Sequence, residues 1–262
     1  MLRKYLSIYA TQIKNNFVRE AVYRSNFITV FAIDFVWVFV ELGFFSVIYA
    51  RVPTLAGWTR EQAFFFLGVF FASDSLFSTF FNSSFWRFSD LVHKGELDIL
   101  LTKPANTVFL AVTRSINLTS LFNVAVATVI LTRYSEPAGF PGGVYWLLVP
   151  LWVLVGVTAQ FLMRFTFSVG VFWTERNWAL VQAYYQFYEL ATRPDGVYPP
   201  AIRYVILTVL PFALIGSVPT RALLFGITPG EGALLAFSLV GFTVLNFLLW
   251  RAGLRRYQSV SS

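Results

Sequence analysis

Cysteine is absent from the 262 residues, and histidine occurs once, at His93. Disulfides, thiolate nucleophiles and Cys/His zinc sites are therefore excluded. No G-x-x-x-x-G-K-S/T phosphate loop occurs, so the chain does not bind ATP by that route. Charge is scarce too: Asp, Glu, Lys and Arg make up 13% of the chain, against roughly 25% in soluble domains. What is present is apolar, 57% of the residues, with 30 Phe and 8 Trp. Only a lipid-facing surface accommodates so much apolar side chain, so the fold class is an all-α polytopic membrane protein. The net charge of +7 would suggest nucleic acid in a soluble protein. Here it follows from basic residues collecting at the cytoplasmic ends of spans, and no nucleic-acid partner is expected. The first 25 residues are too long and charged for a signal-peptide n-region, and no processing is expected.

Residues 1–25 form an interfacial segment. Leu2, Leu6, Tyr9, Ile13, Phe17 and Ala21 share one helical face, with Lys4, Ser7, Thr11, Lys14 and Asn15 opposite. Its basic residues, Arg3, Lys4, Lys14, Arg19 and Arg24, place it on the cytoplasmic side of the bilayer. Six transmembrane helices are predicted, at 26–50, 61–82, 107–131, 144–172, 177–193 and 232–250. The first contains Asp34 and Glu41. Its Leu, Ile, Phe and Val residues, at about 0.3–0.6 kcal/mol each, outweigh or balance two acids at about 2.5–3.5 kcal/mol each. Trp173–Asn177 returns to the cytosol with Glu175 and Arg176. The C-terminal Arg251, Arg255 and Arg256 place that end inside as well, so the number of crossings is even. Pro199, Pro200, Pro211 and Pro219 punctuate 197–226, which is expected to be an outer re-entrant helical pair before the sixth span. The alternative fifth crossing is 201–218.

The longest charged interruption is 83–106. Its charges are Arg87, Asp90, Lys94, Glu96, Asp98 and Lys103. Its apolar residues, Phe85, Phe88, Leu91, Val92, Leu97 and Leu100, recur at helical spacing. Gly95 divides it into two short amphipathic pieces, and Pro104 stops the second. An element of this kind exposed to the cytosol offers a grip for a soluble partner, with apolar knobs entering a groove and charges fixing register. The other reading is an amphipathic loop resting on headgroups.

Four stretches, in order along the chain, carry a family resemblance: Tyr23-Arg24-Ser25-Asn26-Phe27; Lys94 through Pro104; Tyr198-Pro199 through Leu210-Pro211 with Pro219; and Gly253-Leu254-Arg255-Arg256-Tyr257-Gln258-Ser259. With them the chain resembles the membrane subunit of bacterial ATP-binding-cassette transporters of the type-2, export-permease class, in the small-permease branch encoded apart from its ATPase. The resemblance implies a surface helix leading in, six spans, a cytoplasmic coupling element after the second, and outer re-entrant helices. It implies a permease subunit rather than an enzyme, with two separate ABC ATPase subunits and a second permease chain, identical or related, in the bacterial inner membrane. It places ATP and Mg on the partner ATPase and no cofactor on this chain. Phe85, Phe88, Leu91, Val92, Glu96, Leu97, Asp98 and Leu100 then become the ATPase-coupling residues, and the cargo a small molecule, drug or lipid-like substrate exported by alternating access.

Polar residues within the spans are the pathway candidates: Asp34, Glu41, Asp74, Gln160 and Arg164. Asp34, Asp74 and Arg164 each lie about eight residues from the cytoplasmic end of their spans, so all three sit roughly 12 Å deep. They are expected either to line the pathway or to form a structural ion pair locking spans one, two and four. Glu41 has no evident partner in the sequence. These acids leave open a secondary transporter or channel coupled to protons or cations. His93 and Asp98 form H-x-x-x-x-D, a spacing used by membrane acyltransferases, which is a more distant alternative.

Overall fold

The computed structural model describes residues 2–22, 24–174 and 178–257. Tyr23, Glu175–Asn177 and Gln258–Ser259, named above, lie outside the described residues, as do the side chains of Arg19, Ala21 and Arg24–Phe27. Helices dominate. Among the described residues, four are long and apolar enough to cross a membrane, within Ala32–Tyr49, Arg60–His93, Gly143–Phe172 and Pro229–Arg256.

Helix α1 (Leu2–Val22) precedes α2 (Arg24–Tyr49). Leu6, Ile13 and Phe17 on α1 are exposed, as an apolar face resting on a bilayer requires. Its opposite flank turns to the protein: Gln12 Oε1 accepts from the Thr113 hydroxyl at 3.1 Å, and Asn16 Nδ2 donates to the Arg114 carbonyl at 3.2 Å. After α2 the chain forms a small antiparallel hairpin, β1 (Thr54–Leu55) and β2 (Trp58–Thr59). Its two-residue turn needs left-handed backbone at both positions, supplied by Ala56 (φ 52) and Gly57 (φ 82).

Helix α3 (Arg60–Phe77) is the centre of the bundle. Some 72% of its apolar window is buried, against 17% for α2 and 11% for the last helix. A capping box starts it, with Gln62 N donating to Thr59 Oγ1 at 3.3 Å and Thr59 N donating to Gln62 Oε1 at 3.1 Å. From Ser78 to Asn82 it widens into a π-helical turn, then continues through α4 (Ser83–Trp86), α5 (Phe88–His93) and α6 (Glu96–Leu101). Gly95, at φ 72, makes the sharp link between α5 and α6.

The helix predicted over 107–131 is interrupted. Helix α7 (Thr107–Thr113) and α8 (Leu121–Tyr134) are separated by irregular backbone, ending in a turn, at 114–120. The physical reason is local: Arg114, Ser115, Asn117, Thr119 and Ser120 crowd into seven residues whose mean hydropathy is diluted by apolar flanks. The break lies against the π turn, whose Thr79 carbonyl accepts from Asn117 N at 2.9 Å. Ser84 Oγ accepts from Ser115 N at 2.9 Å and donates to Ser115 O at 3.1 Å. Protein thus covers both irregular stretches, the condition for broken helices among membrane spans.

Helix α9 (Leu148–Val169) crosses α3 where Gly156 permits close approach. A Cβ on Gly156 would lie 2.7 Å from the Ile215 carbonyl oxygen and against Ser73. Helix α10 (Trp178–Glu189) is short. The proline-rich stretch after it folds as two short helical arms meeting at Leu210–Pro211. The first is α11 (Pro200–Tyr204) with a π-helical continuation to Val209, and the second runs into α12 (Ser217–Phe225). Helix α13 (Pro229–Arg256) starts with Pro229 and a Thr228–Glu231 capping box. It packs on α9 through Asn246, whose Nδ2 donates to Leu162 O at 3.0 Å and whose Oδ1 accepts from Thr166 Oγ1 at 3.0 Å.

Replacing Gly156 with leucine forces apart α3, α9 and the turn at Ile215. Thermal unfolding of the detergent-purified protein is expected to show a loss of about 1–3 kcal/mol or outright misfolding. Gly241→Ala, whose Cβ meets nothing within 4 Å, should be neutral or slightly stabilising.

Candidate functional site

Two regions concentrate polar chemistry: the charged end formed by α4–α6, and a polar interior shared by α2, α3, α9 and α10. At the charged end the apolar residues point inward. Phe85, Phe88, Leu91, Val92, Leu97 and Leu100 are all buried, with Leu97 fully so. Phe85 and Phe88 join a ring cluster with Phe161, Phe165 and Trp250. These side chains therefore grip the permease itself, not a groove on another protein. Outward stand Ile99 and Leu101 among Arg87, Asp90, His93, Lys94 and Lys103, all exposed, while Trp86 is half exposed and stacks on Tyr185.

One ion pair and one close approach join this end to the bundle. Glu96 Oε2 accepts from Arg114 Nη1 at 2.8 Å, linking α6 to the interrupted segment. Asp98 lies beside the Tyr257 phenol at the end of α13, and burial, then that carboxylate, push the phenol up to about 12. His93 of the H-x-x-x-x-D string is exposed at the end of α5, while Asp98 is turned towards Tyr257.

In the interior, Asp34 and Asp74 line one cavity of about 110 Å³ with Ser78, Asn82, Asn117 and Asn123. Asn123 lies beside Asp34 in that cavity. Asp74 Oδ1 accepts from Gln160 Nε2 at 2.9 Å and from the Tyr188 hydroxyl. Its carboxylate is thus held by neutral donors from α9 and α10. Arg164, one helical turn beyond Gln160, is fully buried, and none of its guanidinium nitrogens has a hydrogen-bond acceptor. Three rings enclose it instead, Trp86, Tyr184 and Tyr185, with centroids 5.4, 4.8 and 5.0 Å from Cζ. Desolvated cation–π contacts of this kind contribute about 2 kcal/mol each. The shared depth of Asp34, Asp74 and Arg164 therefore brings the two acids together, while the arginine pairs with neither.

Glu41 does have a partner. Its Oε2 lies 3.3 Å from Arg193 Nη1, and the guanidinium also covers the Phe44 ring at 4.2 Å. Beyond Arg193 stands Asp195, fully buried, its carboxylate held by Arg203 Nε at 2.8 Å and by Arg221. Its backbone N donates to Ser217 Oγ at 3.0 Å. These bonds clamp the α11–α12 arms to the segment after α10.

Residues 35–261 match the sequence profile of a family described as ABC-2 family transporter protein. The chain belongs to this family. Among curated proteins and among solved structures, nothing matches it. As an ABC-2 transporter subunit it is a multi-pass membrane permease rather than an enzyme, and membership implies pairing with an ABC ATPase.

Several interior residues of this ABC-2 permease were not singled out from the sequence. Tyr184, Tyr185 and Tyr188 form a Tyr-Tyr-x-x-Tyr spacing that places rings on one helical face, and that spacing was the available signal. The partners Arg193, Asp195, Arg203 and Arg221 are separated by irregular backbone, so no periodicity links them.

Asp195→Ala removes the carboxylate that holds Arg203 and the nearer of the two that hold Arg221, Glu231 remaining at 3.8 Å. A loss of about 3 kcal/mol is expected in denaturant unfolding, the low end for a broken buried pair because Arg203 is half exposed. Asp90→Ala, which removes the exposed pair with Lys94, should cost under about 0.5 kcal/mol.

Proposed function

We propose that the chain is one permease half of an ATP-driven exporter that moves small, drug-like or lipid-like molecules out of a bacterial cytoplasm. It pairs with a second permease chain, and two ATPase subunits bind ATP and Mg beneath them. Both termini lie in the cytosol of a cell whose inner membrane the chain crosses six times, with 197–226 re-entering from the outer side. The observation that carries this reading is the construction of the charged end. Its apolar residues lock it into the bundle, and Glu96–Arg114 and Asp98–Tyr257 couple it to the third and last membrane segments. A push on such an element moves spans rather than bending a loop.

The side chains that meet the ATPase are then Ile99 and Leu101 with the charges around them, since these are exposed. Phe85, Phe88, Leu91, Val92, Leu97 and Leu100 transmit the displacement inward, while Glu96 and Asp98 join the charged end to the bundle. In the interior, Asp34, Asp74, Gln160 and Arg164 form the polar part of the pathway, and Glu41 braces the outer end. Arg164, held only by rings, follows Gln160, a donor to the Asp74 carboxylate, by one helical turn, roughly 6 Å along α9. Exchange of partners between Arg164 and Asp74 would accompany a change of state.

Purification of the tagged chain from its native host in mild detergent tests the proposal. A P-loop ATPase is expected to accompany it, and Ile99→Asp with Leu101→Asp should release that ATPase while the permease stays monodisperse. Leu97→Asp should instead destroy the permease fold. A chain that purifies alone, with no nucleotide-dependent activity, would sink the motor reading in favour of a carrier driven by protons or cations. In reconstituted complexes Arg164→Gln and Asp74→Asn should each reduce transport at least tenfold without loss of the ATPase. Unchanged transport in both would remove these residues from the pathway.

A further inference from the structure

A cleft of about 840 Å³ separates α1 from a wall made by the π turn of α3, α7 and α9. That volume lies within the range of small-molecule sites. Its inner lining is almost wholly apolar, with Leu76, Phe80, Val112, Val157 and Phe161 the main contributors. At its rim Leu6 and Leu154 are 60% and 56% exposed. The rim continues along α9 into Leu151 and Leu147, also exposed, on a helix apolar and long enough to cross a membrane. The cleft therefore opens sideways onto the hydrocarbon of the bilayer, where acyl chains are the available apolar solute.

The cleft's own lining carries no charge, and two amines stand by its Tyr5–Asn106 end. Where α1 crosses 103–106, the Lys4 amine donates to the Pro104 carbonyl, and Tyr5 Oη accepts from Asn106 N at 3.1 Å. Lys4 and Lys103 both line a second, shallower cleft of about 420 Å³ on the other flank of α1. Both lysines are exposed. Asn106, Tyr5 and Tyr9 put polar groups at the same end of the apolar cleft. An amphiphile with a negative head matches this arrangement, with its tail in the cleft and its head beside the two amines.

We propose that this cleft binds one acyl chain of an anionic phospholipid, whose headgroup is held by Lys4 and Lys103. The bound lipid wedges α1 against the core. Because α1 is tied to Pro104 and Asn106 and, through Gln12 and Asn16, to Thr113 and Arg114, it also steadies the segment that leaves the charged end. Each basic residue near an anionic lipid surface raises affinity about fivefold, so the pair should favour an anionic over a zwitterionic head by roughly tenfold or more.

Native mass spectrometry of the intact, delipidated complex measures this directly. Phosphatidylglycerol and phosphatidylcholine with identical chains are added back separately. One tightly retained phosphatidylglycerol per chain is expected, with phosphatidylcholine at least about tenfold weaker. Lys4→Gln with Lys103→Gln should erase that preference. Leu6→Trp with Leu154→Trp, both at exposed positions that leave the core packing alone, should obstruct the mouth and remove the retained lipid of either kind. Equal retention of the two lipids by the unmodified complex would overturn the proposal. So would phosphatidylglycerol retention unchanged by the tryptophan pair, or a second copy of the chain found sealing the cleft.

Discussion

The structure depends on one constraint: backbone that leaves regular helix inside an apolar bundle must find hydrogen bonds in the protein. The interrupted segment at 114–120 and the π turn at Ser78–Asn82 meet this demand by lying against each other, through Asn117 to Thr79 and Ser115 to Ser84. Only a helix surrounded by others can serve as that cover, and α3 is the most buried of the four long apolar helices. The small residues Gly68 and Gly156 let α8 and α9 close around it. From this centre α3 passes, without a full break, into the charged end. The irregular stretches thus sit between the polar interior and the charged end proposed to meet the ATPase, where a change of helical register would be felt by both.

Charge inside the bundle follows a second logic. At the hairpin end opposite α5 and α6, acids are paired with guanidinium groups, Glu41 with Arg193 and Asp195 with Arg203 and Arg221. Pairing of that kind fixes the short arms α11 and α12 in place. Deeper in the bundle, Asp74 and Arg164 are solvated by neutral groups and ring faces. Such groups forgo the stabilisation of a direct ion pair, and they remain able to engage a passing ligand or each other. The contrast separates a clamp from the polar interior proposed as part of the pathway.

The sequence made the class, the long helices and the charged element legible, because composition and period report on lipid exposure directly. A common level for Asp34 and Asp74, which line one cavity, followed from depth, though depth does not say which groups meet. The burial of Leu97 and Leu100 did not, since an amphipathic period states that a face is covered but not by what. Glu41 seemed partnerless because Arg193 is distant in sequence and follows a helix too short to align by period. The interruption at 114–120 was hidden by averaging over its apolar flanks, although its cluster of Ser, Thr and Asn is what prefers side-chain bonding to regular helix. Arg164 was expected to seek a carboxylate, and the Tyr-Tyr-x-x-Tyr face that receives it carries no charge to draw attention.

In the proposed function α5 and α6 stand in the cytosol and carry the ATPase. The absence of cysteine makes single-cysteine labelling unambiguous. Ile99→Cys and Val144→Cys, both at exposed positions at predicted opposite ends, are treated with a membrane-impermeant maleimide in intact spheroplasts and in inside-out vesicles. Position 99 should label only in inside-out vesicles, and should become protected when the ATPase is bound; position 144 should label only in spheroplasts. Labelling of position 99 from outside, or with equal speed in the presence and absence of the ATPase, would contradict the claim.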